Sequence, residues 1–183
     1  DHVLAKGRID LFFIEFAVND DQDARHTHKN CIRGLEGIIR QARTLQPHMD
    51  IICTHFVNPG MLKTLQETRM PLPMGAHEQV LKHYDVSTNF LARELVDRIA
   101  ASTMDWKTFG GTHPKKAGNE MAAEGAAKIL EAAWRTPLPK DARKQAHHIP
   151  AKPLDAGSYY NGHFLKPSLA TQDMGFSYFV PEW

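Results

Sequence analysis

Residues 9–18 read Ile-Asp-Leu-Phe-Phe-Ile-Glu-Phe-Ala-Val, and this nearly continuous apolar run restricts the fold more than any other stretch. A run without polar alternation is expected of a strand covered on both faces. Such strands belong to parallel sheets with helices packed on either side. The rest of the chain supplies the helices. Apolar residues at Ile32, Leu35, Ile38, Ile39 and Ala42 recur with a helical period, which predicts a helix over 27–45 stopped by Pro47. Residues 49–56 read as a second buried strand ending at Asn58-Pro59-Gly60. Residues 61–75 fit no single element, because Pro71 and Pro73 break any long helix there. A helix over 76–84, a third strand over 86–90 and a helix over 91–101 follow. A loop over 102–112 then leads to a last helix over 114–134. Strand and helix alternation of this kind predicts an α/β fold with a parallel sheet.

The chain has 183 residues, 42% of them hydrophobic and 23% charged, enough for one good core with a small appendage. Its net charge of +1 and lack of a long single-sign run argue against nucleic-acid binding and electrostatic attachment to membranes. No apolar run is long enough to span a bilayer. Cys31 and Cys53 are the only cysteines, too few for a disulfide scaffold, and both are expected as buried free thiols. The opening residues show no basic start, apolar core and small-residue cleavage site. They read as the approach to a central strand, so the chain is expected to begin inside a domain. Residues 1–136 form the expected α/β domain. Residues 137–157, rich in Pro, Lys and Ala, read as a linker. Residues 158–183 carry Tyr159, Tyr160, Phe164, Phe176, Tyr178, Phe179 and Trp183 without helical period and read as the start of a β-rich module.

In open α/β sheets the site lies beyond the carboxyl ends of the strands. Asn19, Asp20, Asn58 and the loop bearing His113 are all expected there. The His113 loop reads Gly110-Gly111-Thr112-His113-Pro114. Two glycines free the backbone before the histidine, and Pro114 suits a first helical position. A histidine so placed is held by a rigid element yet open to a ligand.

The order strand-Asn-Asp, helix, strand, helix, strand, helix, loop-His-Pro, helix resembles that of the SGNH (GDSL-type) hydrolases. Ala17-Val18-Asn19-Asp20 resembles that family's Gly-x-Asn-Asp block, with Ala in place of the first Gly, as in one bacterial branch. Gly110-Gly111-Thr112-His113-Pro114 resembles its Asp-x-x-His-Pro block, with the family's aspartate replaced by Gly110. The resemblance covers roughly residues 8–135. It implies a three-layer, flavodoxin-like domain, with the sheet's first strands lying upstream. It also implies hydrolysis of a small acyl ester, acetyl first among them, from a small molecule or a carbohydrate. Asn19 would then be the oxyanion donor and His113 the base, and a periplasmic or secreted location goes with the family.

Ester hydrolysis through an acyl-enzyme requires a nucleophile, a base and donors for the developing oxyanion. Imidazole changes charge near neutral pH, which suits His113 to the role of base. The Asn19 amide can donate without carrying charge. The nucleophile does not show itself: Ser87, Ser102, Ser158, Ser168 and Ser177 lack a Gly-Asp-Ser context and read as turn or surface serines. The serine is therefore expected upstream, on a missing segment or a partner chain, and this stretch alone is expected to be inactive. Asp105 offers itself in place of the absent aspartate. Glu15, alternating onto the face of Ala17 and Asn19, is expected to pair in the core or to orient site groups. His26 with His28 and His147 with His148 lack a helical His-x-x-x-His pair or supporting cysteines, so no metal and no cofactor is expected. A competing reading of the same pattern is a non-catalytic flavodoxin-like binding or scaffold module.

Overall fold

A computed structural model of the chain describes residues 4–162 and residue 169. Its centre is a parallel sheet of three strands, β1 (Leu11–Ile14), β2 (Asp50–Thr54) and β3 (Ser87–Asn89), in that spatial order. The register sets Phe12 beside Ile51, Ile14 beside Cys53, and Cys53 beside Thr88. The helices are α1 (His28–Leu45), α2 (Pro59–Gln66), α3 (Leu72–His83), α4 (Leu91–Ala100), α5 (Trp106–Phe109) and α6 (Lys116–Trp134). The α/β architecture with a parallel sheet is as the periodicity predicts.

Two apolar clusters hold the layers together. Ile14, Ile51 and Cys53 point to one face, where they meet Ile32, Leu35 and Ile39 of α1 and Ala76, Val80 and Leu81 of α3. Thr27 starts α1 by accepting a hydrogen bond from the Asn30 amide at 3.3 Å, a normal N-cap. The second cluster joins Ala17 and Val18 to α2, α4, Phe109 and Met121. Asn58 caps α2, accepting from the Met61 amide at 2.9 Å, with Pro59 at the first helical position. Prolines 71 and 73 likewise open α3 rather than breaking it, so helices occupy most of the ambiguous 61–75 stretch. Both cysteines are buried free thiols, and burial pushes each up to about 12, which leaves them unreactive.

β1 stops at Ile14, four residues short of the expected strand end. Residues 17–23 coil instead, and Asn19–Asp23 form a π-turn. Glu15 begins the coil by accepting the Val18 amide at 3.3 Å. The side chains of this turn bond to other side chains, Asp20 to His77 and His26 and Asp21 to Asn58, which holds the turn in place of further strand. The strand alternation expected to place Glu15 with Ala17 and Asn19 therefore does not apply. Pro114 also lies ahead of α6, whose first residue is Lys116, rather than at its first position.

Residues 137–157 have no regular secondary structure, and the segment from His147 onward is a strap docked on α1. Arg43 reaches the His148 carbonyl, Arg40 the Pro150 carbonyl, and Arg33 the Asp155 carboxylate. The fully buried Glu36 carboxylate accepts from the Leu154 amide at 2.6 Å, the Asp155 amide at 3.1 Å, the Tyr84 hydroxyl at 2.7 Å and the Ser158 hydroxyl. Ser158, expected at the surface, is buried by this contact. Tyr159–Asn161 form a short 3-10 turn against α1 rather than a strand. The remainder of the expected β module, Phe164, Phe176, Tyr178, Phe179 and Trp183 included, lies outside the described residues.

Candidate functional site

α6 establishes which end of the sheet carries the predicted residues. Near its middle, the Ala122 carbonyl accepts from the Asn89 side chain at the carboxyl end of β3. Its last turns, Ile129 to Trp134, line a cavity of about 450 Å³ with Asp10, Asp50 and Ser87 at the amino ends of the strands. α6 thus runs antiparallel to the strands, and its N-terminus, preceded by His113, lies beyond their carboxyl ends. Phe109, four residues before His113, is buried in the same apolar cluster as Ala17 and Val18, which directly precede Asn19. The segments that lead into Asn19 and His113 are therefore anchored in one apolar cluster.

The His113 loop owes its shape to glycine. Gly110 closes α5 in the left-handed region, φ +107°, and its amide donates to the Trp106 carbonyl. A Cβ on Gly110 would fall 2.2 Å from the Lys115 nitrogen. That amide donates to the Phe109 carbonyl at 3.0 Å, folding the loop back on α5. The position that resembles the family's aspartate thus has no room for any side chain. His113 itself is exposed and makes no hydrogen bond among the described residues. Asp105 does not replace the missing acid: it caps α5, accepting from the Thr108 amide at 2.7 Å, and that bond lowers its carboxyl below the ordinary range.

Asn19 is exposed, and its amide donates to the Asp23 carboxylate at 2.8 Å. The turn it opens is fastened on three sides. Asp20 meets His77 Nε2 at 2.9 Å through one oxygen and His26 Nδ1 at 3.2 Å through the other. Asp21 accepts from the Asn58 amide at 2.8 Å. Burial would raise the Asp20 carboxyl, but the bonds and charges of His77 and then His26 outweigh it and hold it low. Glu15 shows the opposite balance: burial pushes its carboxyl up, and the Val18 amide offsets this only in part.

His77 belongs to a buried polar layer that sequence pattern alone does not reveal. Its ring stacks on that of His55, centroids 6.0 Å apart, and His55 in turn packs edge-on to Phe90. His55 Nε2 meets Glu78 at 2.8 Å, and the Thr88 hydroxyl donates to the same carboxylate oxygen at 2.9 Å. Nδ1 of both rings is buried without a protein partner among the described residues. Burial lowers the His55 pKa despite Glu78, so His55 is neutral at neutral pH, with Nε2 donating to the carboxylate. The signal in the sequence is subtle. His77 falls on the apolar stripe of α3, with Val80 and Leu81 three and four residues on, and His55 ends the apolar run of β2.

The fold and site define a mixed α/β protein with a three-stranded parallel sheet and an exposed amide and imidazole beyond its carboxyl ends. No family model, curated protein or solved structure matches the chain.

Proposed function

We propose that the chain is part of an SGNH-type ester hydrolase that removes a small acyl group, acetyl first among them, from a small molecule or a carbohydrate. The observation that carries this reading is the placement of Asn19 and His113. Both are exposed, and the segments that lead into them are anchored in one apolar cluster through Ala17, Val18 and Phe109. In the proposed reaction a serine from outside this chain attacks the acyl carbonyl. His113 takes the serine proton and passes it to the leaving alcohol, and water then releases the acyl group by the same route. The Asn19 amide donates to the oxyanion, for which it must exchange Asp23 for the substrate. A single oxyanion donor contributes about 3–4 kcal/mol in the transition state. The carbohydrate substrate rests on the family resemblance alone.

The competing reading, a non-catalytic binding module, is favoured by one observation: no carboxylate meets His113 among the described residues. One assay separates the two. The complete protein, upstream sequence included, should hydrolyse p-nitrophenyl acetate. His113→Ala should lower turnover about a thousandfold or more, as loss of a triad base does elsewhere. Asn19→Ala should lower it about a hundredfold or more, mainly in kcat. No hydrolysis above background by the unaltered protein would support the binding module, whereas unaltered rates in both variants would reject the roles given to Asn19 and His113.

A further inference from the structure

The Asn19–Asp23 turn is an unusual way to end a strand. π-Turns are rare and concentrate at functional sites, and their backbone persists only where the surroundings over-determine it. Here most of the fastening comes from outside the turn. α3 supplies His77, which is 1% exposed and aims Nε2 at Asp20. The start of α2 supplies Asn58, which is itself locked as a helix cap and reaches Asp21. His77 cannot swing away easily, because the His55 ring stacks on it and His55 is tied to Glu78. The Asn19 side-chain amide, by contrast, bonds at the surface to Asp23, a member of the same turn.

We propose that His77, through Asp20, latches this turn to α3 and so holds the Asn19 amide where an oxyanion forms, making His77 a positioning residue. The proposal rests on the ester-hydrolase reading of the site. A donor must be preorganised to act in a transition state, and small misplacements at a reacting centre carry large rate penalties. A latch to a fully buried imidazole supplies that rigidity at a position too exposed to be fixed by packing.

The test has two arms, both on the complete protein. The first follows amide hydrogen exchange in peptides covering residues 15–26. His77→Leu removes the donor and keeps an apolar side chain in the pocket. It should speed exchange there at least about tenfold and leave α1 unchanged. His77→Gln, whose amide can reach the same carboxylate, should stay within about twofold of the parent. Should His77→Leu fail to fold, Asp20→Ala cuts the latch from its partly exposed end and should show the same local loosening. Unchanged exchange in whichever cutting variant folds would overturn the latch.

The second arm is kinetic. Cutting the latch should lower kcat about tenfold or more with KM within about twofold, and His77→Gln should restore most of it. In an Asn19→Ala background the same cut should cost less than about twofold, because the group it positions is gone. An equal loss in both backgrounds would show a merely structural role and overturn the proposal. Full activity of both Asn19→Ala and His113→Ala is a different failure: it would overturn the reading of the site, and the positioning role with it.

Discussion

Gly110 marks the point at which a family pattern and local stereochemistry part. A left-handed backbone at φ +107° suits glycine, and the Cβ direction is closed by the Lys115 nitrogen. Gly110→Asp, which would recreate the family's aspartate, should therefore destabilise the protein by about 1–3 kcal/mol. A lowered urea midpoint with no gain in esterase rate is the expected result. A stable, faster variant would mean that the loop re-forms around the acid. Asn19 and His113 were legible as residues because each stands next to a strong local signal, an apolar strand and a Gly-Gly-x-His-Pro loop. His55 and His77 were not. A polar side chain on an apolar stripe reveals its partner only once the fold brings that partner close, and Asp20 lies 57 residues away from His77.

At the scale of elements, periodicity located α1, α4, α6 and the three strands, while boundaries moved wherever a side chain captured a backbone group. Glu15 ends β1 early and Asn58 opens α2 in this way, while Pro71 and Pro73 open α3 through their fixed backbone angle in a stretch where proline count alone suggests breaks. The strap over α1 was read as a linker because its contacts are single polar side chains with no period. Glu36 is its anchor, and the anchor is charged. Burial would raise the Glu36 carboxyl, but donors from Ser158, Tyr84, Leu154 and Asp155 outweigh it and hold it below the ordinary range. A depressed folded pKa gives stability that is fully present above the unfolded value of about 4.3 and is lost as pH falls through the folded one. Glu36→Gln turns one acceptor oxygen into a donor that faces other donors. It should cost about 2 kcal/mol at neutral pH, as loss of a charged acceptor does. It should also flatten the acid side of the pH–stability curve, and residues 147–162 should exchange faster than α1. An unaltered curve would show that the strap is held by other contacts.

The whole molecule has one unfinished side. Phe12 and Ile14 point into the core with α1 and α3, whereas Phe13 points to the opposite face and is 50% exposed. α6 packs against β3, and β1 is an edge strand with no neighbour beyond it among the described residues. Parallel sheets are normally covered on both faces, and an uncovered apolar edge invites pairing with another chain. Phe16, 44% exposed just past the strand, extends the same apolar surface. The ester-hydrolase reading supplies a cover, namely upstream strands carrying the serine. The two situations give opposite outcomes for a single substitution. In the isolated 183-residue chain, Phe13→Lys places a charge on an open surface and should reduce concentration-dependent association in sedimentation experiments. Were such strands present, the same lysine would be forced against them. It should then cost about 3–5 kcal/mol, in line with burying an unpaired charge or losing a core aromatic. A substitution that is harmless in both settings would mean that nothing packs on β1. The serine would then have to reach Asn19 and His113 from another direction.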